Sequence, residues 1–543
     1  MIKKLQNLSI EFSISNNILA SLKKGAEKHA VGLLTIILLW VSAIVFIFYL
    51  QNGLGVIYND ARSHLDMGRR VVEGLKPGLA QLGSVWLPLP HVLMIPTVWQ
   101  DFFWHSGLAG ALQSMLAFVA TGILIFQYLG KLKVTLFGKL FAIAIFALNL
   151  NILYLTSTAM TELLLLALMT AGAYYLLAWY KDENILSLIK SAFFIMTSTL
   201  VRYDGWFLFG IATLIVFFNT LRQKGAKTAE GTVIMFVTLG GFGIFLWFLW
   251  NLLIFGDPFY FAFGPFSAYS QQDQIFNAGK LLTKGNLIYS IKTYVYALFY
   301  NAYTIIPVLS LIGLYKFWRD KKITTNIKIA GLALIAPFFF NVIALYLGHS
   351  ILYVQQYLND SWFNVRYGVM LMPAFAIFGG YLADRVKSLR WVFIGIFALV
   401  TFFSFASYDV PTIEDALIGA SGRNVYEVSS WLKENAKDKE GFILISVSVQ
   451  DAIVFSSEIP MKRYIHEGTG EYWKLATSRP QDWATWIIMR TYDLNDLAYQ
   501  GVKKTDYEKY YNLIHYYEFA SIYEIKPEYR HLVNTQPIFA ENK

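Results

Sequence analysis

The chain has 543 residues, of which 56% are hydrophobic and only 15% charged, and it contains no cysteine. Soluble proteins carry about 25% charged residues, so this composition predicts a membrane protein. The absence of cysteine excludes disulfides, thiolate metal sites, iron–sulfur clusters and cysteine nucleophiles.

The net charge of +9 does not indicate a nucleic-acid partner, because the charge is unevenly distributed. Up to Tyr408 the chain holds 30 Lys and Arg against 16 Asp and Glu, whereas the remainder holds 15 against 20. The basic excess therefore lies among the apolar segments, where it orients loops and meets anionic lipid.

Apolar segments recur along the first three quarters of the chain. A helix needs about 20 apolar residues to cross a bilayer, and eleven segments approach that length. The predicted spans are 30–50, 107–128, 134–155, 163–180, 185–200, 205–219, 233–255, 291–315, 327–347, 369–383 and 391–407. We interpret 1–29 as a cytoplasmic segment and the first span as a retained anchor.

The distribution of Lys and Arg predicts the orientation. With residues 1–29 inside, 21 of the 30 basic residues up to Tyr408 fall on cytoplasmic segments, as the positive-inside rule requires. The odd number of spans then places 409–543 outside a plasma or inner membrane, together with long loops at 51–106 and 256–292. Within the first loop, 85–99 is apolar but too short and proline-rich to span, which predicts a re-entrant or interfacial element.

After the last span the pattern changes to that of a water-soluble α/β domain, 409–543. Helices are predicted at 425–435, 451–457 and 493–500, and strands at 442–449, 463–466, 484–489 and 519–525. The chain is thus predicted to be a polytopic helical membrane protein, transmembrane over 30–408, with an extracytoplasmic C-terminal domain.

Ionisable residues at the rim of the membrane are functional candidates by default, because burying charge there is costly. Those on the predicted outer side are Asp60, Arg62, His64, Asp66, Arg69, Arg70, Glu162, Arg202, Asp204 and Arg366. Their convergence on one side favours a reaction centre over scattered anchors. For Asp66, Glu73, Asp101 and Asp257 we expect solvated or helix-capping roles.

Asp60 and His64 are four residues apart, so on a helix they share a face. A carboxylate there can take a proton from an alcohol. The alternative is that Asp60 only caps the helix that begins in this segment.

Several short motifs resemble those of the polyprenyl-phosphate-dependent membrane glycosyltransferases of the GT-C superfamily, which includes protein O-mannosyltransferases and lipid A aminoarabinose transferases. The motifs are weak individually but occur in the expected order over most of 30–407. They are Asp60-x3-His64-x3-Gly68-Arg69, Pro77-Gly78, Val85-Trp86-Leu87-Pro88-Leu89-Pro90-His91, Thr161-Glu162, Val201-Arg202-Tyr203-Asp204-Gly205-Trp206 and Asn364-Val365-Arg366-Tyr367.

The resemblance implies roles for the two acidic residues. Asp60 corresponds to the carboxylate that deprotonates the acceptor, although relatives often have Glu at the next position, where this chain has Ala61. Glu162 would orient the acceptor or, with Asp60, hold a divalent cation. Its alternative role is that of a carboxylate favoured by a helix dipole.

The resemblance also implies a donor site. Arg202 and Arg366 would stabilise the phosphate that leaves, since guanidinium binds phosphate bidentately. The alternative roles of these two arginines are to extend their charged ends to the membrane interface or, for Arg202, to form a structural pair with Asp204. The resemblance also implies that His64 and Arg62 contact the phosphate. It further implies that the substrate is positioned by Asp204, Tyr203, Trp86 and His91.

The expected function is transfer of a sugar, with inversion, from a polyprenyl-phosphate donor to a hydroxyl of a protein, glycan or lipid. The partners are then the lipid-linked donor, the acceptor and membrane lipid, without nucleic acid. One alternative is a transporter or flippase of a polar or lipid-linked substrate, and another is a scaffold that displays the outer domain. Transporters usually place polar residues near the midplane of the bilayer and often contain two related halves, neither of which is evident here.

Overall fold

The structure is a computed structural model that describes residues 16–264, 267–277, 279, 281–355, 357 and 361–537. Half of the predicted segment 1–29, namely 1–15, lies outside these residues. The helices up to the end of the membrane region are α1 (Asn16–Gln51), α2 (Asn59–Val72), α3 (Leu89–Val98), α4 (Asp101–His105), α5 (Leu108–Lys131), α6 (Leu136–Ala147), α7 (Leu150–Thr156), α8 (Glu162–Asp182), α9 (Ile185–Ser198), α10 (Asp204–Lys224), α11 (Ala226–Phe255), α12 (Tyr260–Phe263), α13 (Ala268–Asn277), α14 (Leu287–Ala302), α15 (Ile305–Arg319), α16 (Thr325–Ala330), α17 (Ala336–Leu347), α18 (Met372–Arg385) and α19 (Arg390–Ser407). Short 3₁₀ helices lie at Leu79–Leu82, Gly331–Ile335, Val365–Leu371 and Lys387–Leu389.

The predicted helical membrane region is confirmed. Among the residues that the structure describes, eight helices are long and apolar enough to cross a membrane, and two further pairs pass this test only as bent pairs. Eight of the eleven predicted spans correspond to the eight straight helices. The other three segments differ in form.

Two of those three are bent pairs. The segment predicted at 134–155 is α6 and α7, bent by 65°, and the one at 291–315 belongs to α14 and α15, bent by 107°. The third, 185–200, is α9, whose 14 residues extend about 21 Å, against about 30 Å for a hydrocarbon core.

Single polar residues produce the bends. Asn149 caps α7 by accepting a hydrogen bond from the amide of Ile152 at 3.0 Å, and Tyr303 ends α14 in the left-handed region, with φ 56°. The two breaks are joined, because Asn149 Nδ2 donates to the carbonyl oxygen of Asn301 at 2.7 Å. Buried backbone groups freed by a bend need such partners.

Burial separates central from peripheral helices. In the most apolar stretch of the span containing α18, 94% of residues are buried, whereas the values are 22% for α11 and 11% for the span containing α19. Exposed apolar side chains on α11 and α19 therefore face the lipid. The predicted non-spanning element at 85–99 contains α3, a helix of 10 residues with Pro96 inside it.

The C-terminal part is an α/β domain, as predicted. Its helices are α20 (Pro411–Leu417), α21 (Tyr426–Asn435), α22 (Val447–Ser457), α23 (Glu471–Ser478), α24 (Leu497–Val502) and α25 (Tyr507–Tyr510), with 3₁₀ turns at Met461–Arg463, Glu467–Thr469, Pro480–Asp482 and Pro527–Leu532. The strands are β1 (Phe442–Ile445), β2 (Tyr464–Ile465), β3 (Ala484–Met489), β4 (Tyr511–Tyr516) and β5 (Ser521–Ile525), in the order β2-β1-β3-β5-β4. The strands β2, β1 and β3 are parallel, while β5 and β4 add an antiparallel edge.

Two details of this domain differ from the prediction. The strand predicted at 442–449 ends at Ile445, and a helix begins at Val447. The carboxylate of Glu467 accepts hydrogen bonds from the amides of Val447 and Ser448 at 3.0 and 3.3 Å, which starts the helix. The strand β4, Tyr511–Tyr516, was not among the predicted strands.

Candidate active site

The loop after the first span, which is predicted to lie outside, forms α2, whose start carries Asp60. The residue before the helix, Tyr58, makes no side-chain capping bond, and Asp60 lies in the first turn. Asp60 Oδ2 instead accepts a hydrogen bond from Arg366 Nη2 over a sequence separation of 306 residues. The side chain of Asp60 is 33% exposed.

Arg366 lies at the centre of the site and is 2% exposed. Besides Asp60, its guanidinium contacts Glu162, where Nε donates to Oε1 at 3.0 Å. The guanidinium carbon lies 5.0 Å from the ring centroid of Tyr58 and 5.3 Å from that of Tyr367. Buried ion pairs persist only with such additional contacts, since desolvation of each charge is expensive.

Glu162 connects the two arginines. It is fully buried at the start of α8, and Oε1 also accepts from Arg202 Nη1 at 3.2 Å. Its second oxygen, Oε2, has no hydrogen-bond partner among the described residues. A buried carboxylate oxygen without a partner is unusual in a purely structural site.

Arg202 and Asp204 complete this group, which we call the charge cluster: Asp60, Glu162, Arg202, Asp204 and Arg366. Arg202 Nε donates to Asp204 Oδ2 at 3.4 Å, and its guanidinium carbon lies 4.8 Å from the Tyr367 ring centroid. The side chain of Arg202 is 19% exposed, against 2% for Asp204. The expected Arg202–Asp204 pair is therefore present, but Arg202 bonds to Glu162 as well.

Tyr203 links the charge cluster to the first loop. Its hydroxyl donates to the carbonyl oxygen of Val85 at 2.9 Å. Val85 directly precedes Trp86, whose ring centroid lies 4.2 Å from that of His64.

His64 and His91 form a buried pair beside Trp86. His64 Nδ1 and His91 Nε2 are 2.8 Å apart, so one ring donates to the other. Burial lowers the pKa of His64 well below its usual value, and His91, Arg366 and Arg202 lower this pKa further. Burial likewise lowers the pKa of His91 to about 3. Both imidazoles are neutral at pH 7, so His64 can offer a phosphate a hydrogen bond but no positive charge.

Arg62 lies apart from the charge cluster. Its Nε donates to the carbonyl oxygen of Val56 at 2.7 Å, and Nη1 donates to that of Arg423 at 3.2 Å. These bonds tie the side chain of Arg62 to two backbone carbonyls, and its phosphate contact stays a prediction.

One expectation about the acidic residues is wrong. Asp66 is fully buried rather than solvated, and its Oδ1 accepts from the indole of Trp104 at 3.0 Å. Burial raises the pKa of Asp66 well above its usual value. The spacing of residues on α2 could not reveal the burial of Asp66, because Trp104, which covers it, lies at the end of the same loop.

Three residues of the site escaped the sequence-based reasoning. Tyr58, Asp415 and Ser421 surround Arg366 and the start of α2, and all three are buried. Tyr58 lies two positions before the first motif residue, Asp60, and could have been included. Asp415 and Ser421 follow the last span, where no motif pointed to them.

A divalent cation between Asp60 and Glu162 does not fit this arrangement. The guanidinium of Arg366 bonds to both carboxylates and so lies between them. Within the described part of the chain, no group of three or more His, Asp or Glu side chains has the arrangement of a metal site.

Known proteins share this architecture. ArnT from Cupriavidus metallidurans bound to undecaprenyl phosphate is 11% identical in sequence, with a TM-score of 0.56 over 92% of this chain and 99% of ArnT. The apo state of the same protein is 12% identical, with the same TM-score and coverage. The oligosaccharyltransferase of Archaeoglobus fulgidus, tethered to an acceptor peptide, is 11% identical, with a TM-score of 0.49 over 93% of this chain and 75% of the other.

No known protein family matches the sequence, and no curated protein is significantly similar to it. At such low identity, the likeness to ArnT shows that the two chains share a fold.

Proposed function

We propose that the protein is a membrane glycosyltransferase that takes a sugar from a polyprenyl-phosphate donor and transfers it to an acceptor hydroxyl. The observation that carries this proposal is the charge cluster, in which four distant chain segments bring a partly exposed carboxylate beside two guanidinium groups. The fold shared with ArnT, a protein solved with undecaprenyl phosphate bound, supports the class of donor.

Asp60 would act as the general base. With 33% of its side chain exposed, Asp60 can meet an acceptor, whereas Glu162 is fully buried. The carboxylate takes the hydroxyl proton while the acceptor oxygen forms a bond to the anomeric carbon. The bond from that carbon to the phosphate oxygen breaks, and attack from the opposite face inverts the configuration. A positioned base of this kind accelerates a reaction about 10²- to 10⁴-fold.

The arginines would stabilise the leaving phosphate. Arg202 is the more accessible of the two, since 19% of its side chain is exposed and that of Arg366 is covered. A donor phosphate would therefore contact Arg202 first. Arg366 forms ion pairs with Asp60 and Glu162. Its positive charge would stabilise the phosphate across Asp60, without direct contact. Such fixed donors are effective because they need no reorganisation when charge develops.

The decisive experiment is transfer by the purified protein with a panel of polyprenyl-phosphate sugars, comparing wild type with Asp60→Asn. We expect the variant to fold normally and to lose at least a hundredfold in kcat. Asp101→Asn is the matched control, because Asp101 lies in the same loop with 74% of its side chain exposed. Full activity of Asp60→Asn would remove Asp60 as the base.

We further propose that the charge cluster and the C-terminal domain face the extracytoplasmic side. The chain has no cysteine, so a single introduced cysteine is a unique label. Tyr426 is 75% exposed in the C-terminal domain, and Tyr426→Cys should react with a membrane-impermeant maleimide in intact cells. Labelling only after lysis would reverse the proposed orientation.

A further inference from the structure

The segment that joins the last span to the C-terminal domain, residues 410–423, passes beside the charge cluster. We call it the junction segment. It contains α20, and its buried polar residues include Asp415 and Ser421, which are 0% and 6% exposed. Neither residue belongs to the charge cluster, yet both contact the backbone that carries it.

Asp415 bridges the two halves of the site. Its Oδ2 accepts a hydrogen bond from the hydroxyl of Tyr58 at 3.2 Å and another from the amide of Val365 at 3.3 Å. Tyr58 is the residue before α2, two positions from Asp60, and Val365 directly precedes Arg366. One carboxylate oxygen therefore holds the chain on both sides of the Asp60–Arg366 contact.

Ser421 forms a second bridge between the same two elements. Its carbonyl oxygen accepts from the amide of Asn59 at 3.1 Å, and its Oγ accepts from the amide of Asn364 at 3.2 Å. Arg366 Nη1 also donates to this Oγ at 3.5 Å. The backbone of Tyr58 and Gly422 additionally forms a β-bridge.

The turn before Arg366 needs such support. Asn364 has a φ of 55°, in the left-handed region, which Asn tolerates better than most residues but which remains unfavourable. Its backbone amide is held by Ser421, and its side-chain Nδ2 donates to the carbonyl oxygen of Ile351 at 3.0 Å. These two hydrogen bonds stabilise the left-handed conformation of Asn364.

We propose that Asp415 and Ser421 are positioning residues that fix Asp60 relative to Arg366, so that the base and the leaving-group cation keep their alignment. This inference rests on the proposed function for its catalytic consequence. Two bridges between the same pair of elements restrain both translation and rotation of α2 against the turn. A misplacement of about 1 Å can reduce a rate about 100-fold.

The kinetic test uses Asp415→Ala and Ser421→Ala in the full-length protein. We expect kcat to fall about tenfold or more. The KM values for donor and acceptor should change less than about twofold, because the proposal gives neither residue a contact with substrate. Asp415→Asn and Ser421→Thr keep the accepting oxygen and should recover most of kcat. Variants whose KM changes while kcat is constant would overturn the proposal.

Glu414→Ala is the matched control. Glu414 lies in the same segment, and its Oε2 accepts from the indole of Trp362 at 2.9 Å, but no described contact joins it to Tyr58, Val365 or Arg366. This variant should retain kcat. An equal loss in Glu414→Ala would mean that the junction segment acts only by general stability.

A distance measurement tests the same inference without transfer. Nitroxide labels on cysteines at Val72, at the end of α2, and at Ile288, on α14, report the separation of α2 from α14 by double electron–electron resonance. The helix α14 holds the Arg366 turn, because Asn301 Nδ2 donates to the carbonyl oxygen of Val365 at 2.8 Å. Both positions are exposed, 37% and 67%. The distribution should broaden in Asp415→Ala and Ser421→Ala but not in Glu414→Ala. If the distance distribution broadens but the wild-type protein shows no transfer, the proposed function is refuted and the positioning role is retained. If the distance distribution is unchanged in every variant, the positioning role is refuted.

Discussion

Two groups of acidic side chains in this protein obtain their hydrogen bonds from different sources. In the C-terminal domain, Glu467 and Asp496 accept from backbone amides and from nearby neutral side chains. The amides are those of Val447 and Ser448 for Glu467, and those of Arg490 and Tyr499 for Asp496. The side chains are Ser446 and Ser448 for Glu467, and Gln450 for Asp496. Such bonds start helices and close turns, and they use each carboxylate for the local fold.

The carboxylates of the charge cluster differ in this respect. Asp60 and Glu162 are bound by guanidinium groups from distant segments, and one oxygen of Glu162 has no hydrogen-bond partner within the described residues. Glu467 and Asp496 therefore stabilise secondary structure. Asp60 and Glu162 carry negative charge that the local secondary structure does not require. We therefore expect variants of the second group to affect transfer, and variants of the first to affect stability.

The largest effect should come from Arg366→Ala. This variant leaves Glu162 and Asp60 without their shared cation, and breaking a buried ion pair in this way costs about 3–5 kcal/mol. We expect a loss of thermal stability together with a loss of transfer. Double replacement by Arg366→Met with Glu162→Gln should restore much of the stability but no activity, and stability that stays low in the double variant would contradict the ion-pair explanation.

The next effect concerns the pH dependence of stability through Asp496. Burial raises the pKa of this side chain to about 6, above its unfolded value of about 4. Between these values the folded state binds more protons than the unfolded state, so stability falls as the pH rises from about 4 to about 6. The full difference is about 3 kcal/mol.

Asp496→Asn removes this titration. Chemical unfolding of both proteins between pH 4 and pH 7.5 should show the wild-type value declining relative to that of the variant over this window, and constant above it. Parallel curves would contradict the assignment to Asp496. Transfer at pH 7.5 should be the same in both proteins.

Arg202→Gln should have a smaller and more specific effect. Losing one charge-assisted hydrogen bond removes about 1.5–3 kcal/mol, which corresponds to a rise of about tenfold to a hundredfold in the donor KM. The acceptor KM should change little. Equal changes in the two KM values would indicate that Arg202 is structural and paired only with Asp204.

The smallest effect is expected for Glu467→Ala. Loss of the cap on α22 costs about 1 kcal/mol of stability, measured by thermal unfolding, and leaves transfer unchanged. Glu471→Ala is its control, since Glu471 is 62% exposed and paired only with Lys474 among the described residues. A loss of transfer in Glu467→Ala would weaken the distinction between the two groups.

Part of the fold followed from the sequence and part did not. Apolar length was sufficient for the straight spans, but a hydropathy window does not register single residues such as Asn149 or Tyr303, which bend two of the predicted spans. Likewise, the apolar run at 442–449 has no periodicity that separates a strand from a buried helix. The helix begins there because Glu467, twenty residues further on, accepts from the amide of Val447.

The site shows the same division. The motifs named Asp60, Glu162, Arg202 and Arg366, and the structure brings them together. The same reasoning placed Asp66 in solvent, because side-chain type and spacing do not reveal which neighbours cover a helix face. Ser421 and Asp415 contact the site in part through the backbone amides of Asn364 and Val365, and such contacts leave no motif.

The sequence by itself determined that the chain lies in a membrane, where it changes to an α/β domain, and which charged residues lie near one rim. The reason is that hydrocarbon imposes a minimum apolar length and makes each charge costly, and both constraints act locally along the chain. Only the tertiary structure decided which charges meet. Asp60 and Arg366 are 306 residues apart, and their contact depends on the packing of α2, the turn at Asn364 and the junction segment against one another.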